Sequence, residues 1–207
     1  MIPEVDETLR QLVKRDVLGG SNVDISFEAP TTDWASRRQK PTLNLYLYDI
    51  REDLERRRTQ FEEIRDEQGH VVERRQPPRK FKLSYLVTAW TNLPEDELRV
   101  LAAALSTFLS FDALPEDVMT TDLAALGEPI RVTVALPPPQ DRAISDIWSA
   151  LGGELKPSLD LVVTTPVPAQ VDREQVVGPL VREPLRLGVI DEGVELEVAG
   201  LVELPRP

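Results

Sequence analysis

The chain has 207 residues, 41% of them hydrophobic and 29% charged, with no cysteine and a formal net charge of −12. That length supports one well-buried domain with room for an appendage, and the composition is ordinarily globular. The acidic balance argues against a nucleic-acid partner, which needs a basic footprint, and the lack of cysteine excludes disulfides and thiolate chemistry, as fits a reducing cytoplasm.

The longest uncharged runs, Leu83–Pro94 and Val100–Phe111, are 12 residues each, against the roughly 18 that a spanning helix needs. The opening MIPEVDETLR is acidic and periodic, so no secretory signal is expected. Charge is unevenly distributed. Residues 37–82 hold 13 basic and 9 acidic side chains, a balance of +4, which leaves −16 for the rest of the chain. Either this is a mixed solvated surface, or it marks opposite poles that meet neighbouring subunits.

Taken in order, Pro3–Leu18 reads as a helix with Val5, Leu9, Leu12 and Val13 on one face and Gly19-Gly20 as its stop. The GGS that follows ends a helix instead of opening one, so it is no phosphate loop. Val23–Phe27 alternates as a short strand. In the loop to Pro41, Thr32 or Asp33 could cap a single helical turn, and Trp34 is a plug over the core or an interface anchor. Thr42–Ile50 sets Leu43, Leu45 and Leu47 on one face and Tyr46 and Tyr48 on the other, as expected of a strand interior to a sheet.

The stretch from Arg51 to Lys80 is nearly devoid of large apolar groups. Thr59–Arg65 and Val71–Gln76 flank a turn at Glu67–His70 and predict a charged hairpin arm, closed by Pro77-Pro78. An isolated hairpin is barely stable in water, so its order is expected to come from packing on something else.

Lys80–Thr91 is the most informative strand. Phe81, Leu83, Tyr85, Val87 and Ala89 hold one face, and the other face also turns apolar from Leu86 onward, as in the centre of a sheet. Asn92 with Glu95 three residues later predicts a capping box, with Pro94 in the first turn of the helix that follows. The expected apolar stripe of that helix is Leu98, Leu101, Ala102, Leu105, Phe108 and Leu109. Leu114–Leu126 suggests a short helix or turns, and Pro129–Pro137 a strand with Ile130, Val132 and Val134 inward. Asp141 or Arg142 opens a helix with Ile144, Ile147, Trp148 and Leu151 on one face, and Ser158–Thr165 is the last clear strand. Domain limits of 1–165, with the arm at about 59–76, and 166–207 follow. The extension holds 6 of the 18 prolines and 4 of the 10 glycines, and its strand-like LRLGVI and VELEVAGLVE either join another subunit's sheet edge or fold back as a hairpin.

A search for chemistry returns little. The single histidine, His70, sits at the arm tip with no second imidazole or thiolate to complete a zinc site. Asp49, Glu52 and Asp53 are interleaved with Arg51, Arg56, Arg57 and Arg58, so mutual neutralisation explains them better than a hard cation. No nucleophile elbow, Walker sequence or dinucleotide fingerprint occurs. No catalytic, cofactor-binding or metal-binding residue is assigned, and the residues alone describe a soluble α/β domain.

The segments LNLYLYDIREDLERR, RKFKLSYLVTAWT with its helix, and IWSALGGELKPSLDLVVT, in this order, resemble the tube-terminator or cap family of contractile injection systems, which are phage-tail-like particles. The resemblance covers about residues 1–170. It implies a mixed, largely antiparallel sheet flanked by helices, with an extended β-hairpin arm. It also implies a non-enzymatic structural role: a ring, usually a hexamer, seated on the distal end of the inner tube, which stops tube polymerisation and fastens the sheath. The implied partners are the chain itself, the tube protein and the sheath protein, with no nucleic acid, no membrane insertion and no cofactor. The implied location is cytoplasmic, within a particle that can be released. With the arm as ring contact, the expected interface residues are Arg56, Arg57, Arg58, Phe61, Ile64, Arg65, Val72, Arg74 and Arg75. The alternative is a soluble adaptor or baseplate-type binding module of the same kind of particle.

Overall fold

The computed structural model describes residues 1–137, 143–167 and 174–175. Helix α1 (Ile2–Leu12) carries Pro3 in its first turn and continues into a π-helical turn, Val13–Val17. In that wider turn the Leu18 N–H donates to the Val13 carbonyl at 3.0 Å, which brings Leu18 back over the core five residues after Val13. Val5, Leu9, Leu12 and Val13 are all fully buried, as their spacing predicts. Gly19 and Gly20 then take φ of +50° and +86°, left-handed conformations that glycine adopts without a Cβ penalty and that end the helix.

Strand β1 (Asp24–Ser26) leads to helix α2 (Thr32–Arg37). The cap is Thr31 and neither Thr32 nor Asp33: its hydroxyl accepts from the Trp34 N–H at 3.2 Å. Strand β2 (Thr42–Glu52) follows, then strands β3 (Glu62–Arg65) and β4 (Val71–Arg75) of the arm, then β5 (Arg79–Trp90). Helix α3 (Pro94–Leu109), the short α4 (Thr121–Ala124), strand β6 (Arg131–Val134), helix α5 (Ile144–Ala150) and strands β7 (Leu159–Val167) and β8 (Glu174–Gln175) complete the order. Asp141 and Arg142 lie outside the described residues, and the cap of α5 is Ala143.

The main sheet runs β1-β2-β5-β7-β6, parallel between β1 and β2 and antiparallel at every other pair. It is the mixed, mostly antiparallel sheet expected, with β5 at its centre and β2 beside it. The two-residue period of β5 separates two cores. On one face Leu83, Tyr85, Val87 and Ala89 meet α1 and α3, together with Leu43, Leu45, Leu161 and Val163. The Tyr85 hydroxyl, at the bottom of this layer, donates to Asp6 Oδ1 at 2.7 Å. On the other face Trp90 packs edge-on against Trp34 of α2, with ring centroids 5.4 Å apart, and against Trp148 of α5 at 6.4 Å. Trp34 is therefore a core plug.

Helix α3 departs from its expected face and cap. The residue before a proline is driven to extended backbone, so Leu93, at φ −125° and ψ 130°, is the N-cap, and no side chain caps it. Glu97 reaches back instead, accepting from the Thr91 N–H at 3.2 Å. The buried residues are Leu101, Ala104 and Phe108. Leu98 and Leu109 are 54% and 66% exposed, Ala102 is exposed and Leu105 is half-buried. The helix carries two apolar stripes side by side, and the small Ala104 lets it approach the sheet closely on the other one.

Candidate assembly interface

Strands β2 and β5 are antiparallel neighbours, paired from Thr42↔Trp90 to Glu52↔Phe81, and the arm is the long connection between their ends. A register shift between Leu47 and Asp49 makes Tyr48 an extra residue, which twists the strand where a bulge is expected to. Its hydroxyl donates to Asp160 Oδ1 of β7 at 2.8 Å.

At the arm's root the chain turns through a single 3₁₀ turn, Leu54–Arg56. Asp53 is buried there, with its N–H donating to the Lys80 carbonyl at 2.7 Å. Its Oδ2 accepts from Arg56 at 2.8 Å, and Oδ1 faces Lys82 Nζ at 3.3 Å. Burial pushes its carboxyl up, but Arg56 and then Lys82 outweigh that, so Asp53 sits below the ordinary aspartate value of 3.8. Glu52 sits next to it, with Arg57 at 3.6 Å and Arg79 at 3.8 Å. Asp49, Glu52 and Asp53 are thus neutralised by arginine and lysine, and among the described residues no group of three or more His, Asp or Glu could hold a metal.

The turn at the tip is built by Asp66. Its Oδ1 accepts from the N–H groups of Gln68 (3.0 Å) and His70 (2.8 Å), and Gly69 takes φ +86°. The His70 backbone bond, followed by that of Gln68, holds the Asp66 carboxyl below its usual range. His70 Nδ1 lies 3.4 Å from Asp66 Oδ2, so the lone imidazole belongs to this turn.

The nine expected interface residues all fall on the arm or its root, in distinct settings. Arg56 and Arg57 are tied to Asp53 and Glu52, and Arg65 bonds Glu63 at 2.6 Å and the Gly69 carbonyl at 2.9 Å. Phe61 and Val72 are 55% and 44% exposed, Ile64 is half-buried, and Arg58 lines a small cleft with Phe61, Pro77 and Arg79. Arg74 and Arg75 stand opposite Glu63 and Glu62 in the β3–β4 register. Sequence reasoning missed the third strand: β8 pairs with β4 at Glu73↔Gln175 and Arg74↔Glu174. Strand β7 also runs to Val167 and pairs with Arg79, one residue past Pro166, where the extension was expected to begin. The rest of the extension, including LRLGVI and VELEVAGLVE, lies outside the described residues.

The fold is similar to that of the PVC sheath/tube terminator of an extracellular contractile injection system, seen by cryo-EM in the extended state, at 20% identity and a TM-score of 0.66 over 95% of this chain and 65% of that one. It is also similar to the tube-terminating cap of the anti-feeding prophage, at 20% identity and a TM-score of 0.60 over 87% of this chain and 59% of that one. This chain therefore spans about two thirds or less of the length of those proteins. No curated protein matches it. The chain belongs to the Pvc16 N-terminal domain family, whose pattern matches residues 4–183.

Asp53→Asn is expected to cost about 1–3 kcal/mol at pH 7, because it removes the charge that Arg56 and Lys82 converge on. The folded-state pKa is lowered, so this stabilisation is present above the ordinary value of 3.8 and is lost as pH falls through the lower folded value. Urea midpoints of the two proteins should converge in that acid window; a gap that persists there would contradict the assignment.

Proposed function

We propose that this chain is the structural cap of a contractile injection system. It forms a ring, a hexamer by the family resemblance, on the distal end of the inner tube, stops tube polymerisation there and anchors the sheath. Its partners are further copies of itself, the tube protein and the sheath protein, and it performs no catalysis. The observation that carries this reading is the arm, which holds Phe61 and Val72 out to solvent on a scaffold belonging to the Pvc16 N-terminal domain family. A surface of that kind gains from burial against a neighbour. No helix among the described residues is long and apolar enough to cross a membrane.

The test is the mass of the purified chain, alone and with its tube protein, before and after Gln60–Arg75 is replaced by a short Gly-Ser turn. The intact chain is expected to give a closed ring and the shortened one a folded monomer. An undiminished ring mass after the deletion overturns the role of the arm, and a monomer that binds a partner without tube or sheath marks an adaptor instead.

A further inference from the structure

Of the two outer strands of the main sheet, β6 is covered and β1 is open. Residues 112–114 run beside β6: the Val132 N–H donates to the Asp112 carbonyl at 3.0 Å and the Leu114 N–H to the Ile130 carbonyl at 2.8 Å. Strand β1 has no such neighbour. Its Asp24 N–H donates to the Pro41 carbonyl at 2.8 Å, so by the alternation of a parallel ladder Ile25 turns its own N–H and C=O away from β2. Nothing among the described residues accepts from that N–H. The carbonyl is held only by Arg10, whose Nη1 stands 3.4 Å away with its guanidinium over the Phe27 ring. An open strand edge is a template for pairing, and a long charged side chain laid across it keeps the place of a partner strand.

An open groove of about 820 Å³ runs along this edge, lined by four basic side chains, Arg10, Arg37, Arg38 and Lys40, against two acidic ones, Asp24 and Glu28. Lys40 answers Asp24 at 3.8 Å. Arg37 and Arg38 hydrogen-bond only the backbone carbonyls of Asp33, Lys40 and Trp90, and make no salt bridge among the described residues. The two faces of β1 also differ. Val23, Ile25 and Phe27 pack, half-buried, against the core beneath α1, whereas Asp24 and Ser26 point to the other face, where Lys40 and the Arg38 guanidinium beside Trp90 lie. A strand that completes this edge has apolar residues at alternate positions for the first face and acidic ones between them for the second.

Val194-Glu195-Leu196-Glu197-Val198 has that pattern, within a stretch, residues 189–204, that holds five acidic side chains and no basic one. The other strand-like piece of the extension, LRLGVI, carries Arg186 and no acid, and the strands of the arm already pair with one another. The extension also sets out from the arm, since β8 is bonded to β4, and the arm is the part read above as reaching a neighbouring subunit. We propose that residues 194–198 of a second copy of this chain add to β1 as a further strand of the main sheet, with Glu195 and Glu197 facing Arg37, Arg38 and Lys40. The added strand takes the backbone groups of Ile25 and displaces Arg10 from its carbonyl, as in other cases of strand addition to a sheet edge. The proposal rests on the ring reading and names one contact within it.

The Ile25 amide reads this contact directly. It is expected to resist hydrogen exchange in the full chain. Protection should be lost in Arg37→Glu with Lys40→Glu and in Glu195→Lys with Glu197→Lys, and regained when all four substitutions are combined. The absence of cysteine permits a second measurement: chains carrying Asp24→Cys with either Glu195→Cys or Glu197→Cys are oxidised and separated denatured, without reductant. Covalent multimers are expected from at least one of the two pairs. A link closed within a single chain shows the extension folding back on its own subunit, and an unprotected Ile25 amide in intact rings shows an edge that stays open; either result overturns the proposal and leaves the ring reading standing. Protection that persists with both glutamates reversed names a different strand and overturns it too. If the unaltered chain forms no ring, alone or with its tube protein, the ring reading fails and this contact with it.

Discussion

Phe108→Ala is expected to destabilise the domain by about 3–5 kcal/mol, the range for emptying a well-packed aromatic site. Phe108 is 1% exposed and lies in the cluster with Leu9, Leu12, Val13 and Leu114, where α1, the turn after it and α3 close over the sheet. A rigid layer fixed by strand register cannot collapse into the space the ring leaves. Leu98→Ala, on the same helix, should shift stability by no more than about 0.5 kcal/mol, as exposed positions do. Urea midpoints measured on the monomeric arm-deleted protein separate these values from any effect of assembly. Equal losses at the two positions would show that α3 sits on the sheet by the other stripe.

Trp148→Ala is expected to cost about 3–5 kcal/mol as well, although it lies on the opposite face. Its ring is 2% exposed, packs on Trp90 and closes against the glycine turn behind α5, where a Cβ on Gly153 would stand 3.3 Å from Trp148 Cε3. Trp90 is held from the other side by Trp34, and Lys156 Nζ sits 4.1 Å from its ring centroid while bonding Glu97 at 2.7 Å. Removing Trp148 leaves α5 without its only fully buried side chain. Loss of near-ultraviolet circular dichroism together with a lowered midpoint is the expected pair of signals; a normal aromatic spectrum with wild-type stability would mean that α5 is not part of the second core.

The central position of β5 and the buried face of α1 were legible in the sequence because each shows a single periodicity. Leu83, Tyr85, Val87 and Ala89 can face only one way, and Val5, Leu9, Leu12 and Val13 fit one stripe. Helix α3 offered two stripes of similar hydrophobicity, and the choice was made by Ala104, whose small size is a packing property with no periodic signature. Asn92 matched the capping-box spacing, but Pro94 moved the cap by one residue through its effect on Leu93. The arm was visible as a run of charge without core, and its turn as Gly69 among polar residues. Its third strand was not, since the two residues of β8 carry no alternation at all, and their pairing with Glu73 and Arg74 depends on the fold that brings them there.

Because the arm is inserted between two adjacent strands, any pull along it enters the domain through β2 and β5 at the same end and in the same direction. The two strands are tied to each other and move as a unit, so the tension falls on their outer neighbours. Between β5 and β7 the register runs through nine residue pairs, from Arg79↔Val167 to Val87↔Leu159, and the load lies along the strands, across their hydrogen bonds. Bonds loaded in that way stretch together instead of opening one after another from an end. Asp53, Arg56 and Lys82 brace the corner where the load arrives. A domain wired like this can transmit a sudden tug from whatever grips its arm without unravelling at the point of attachment.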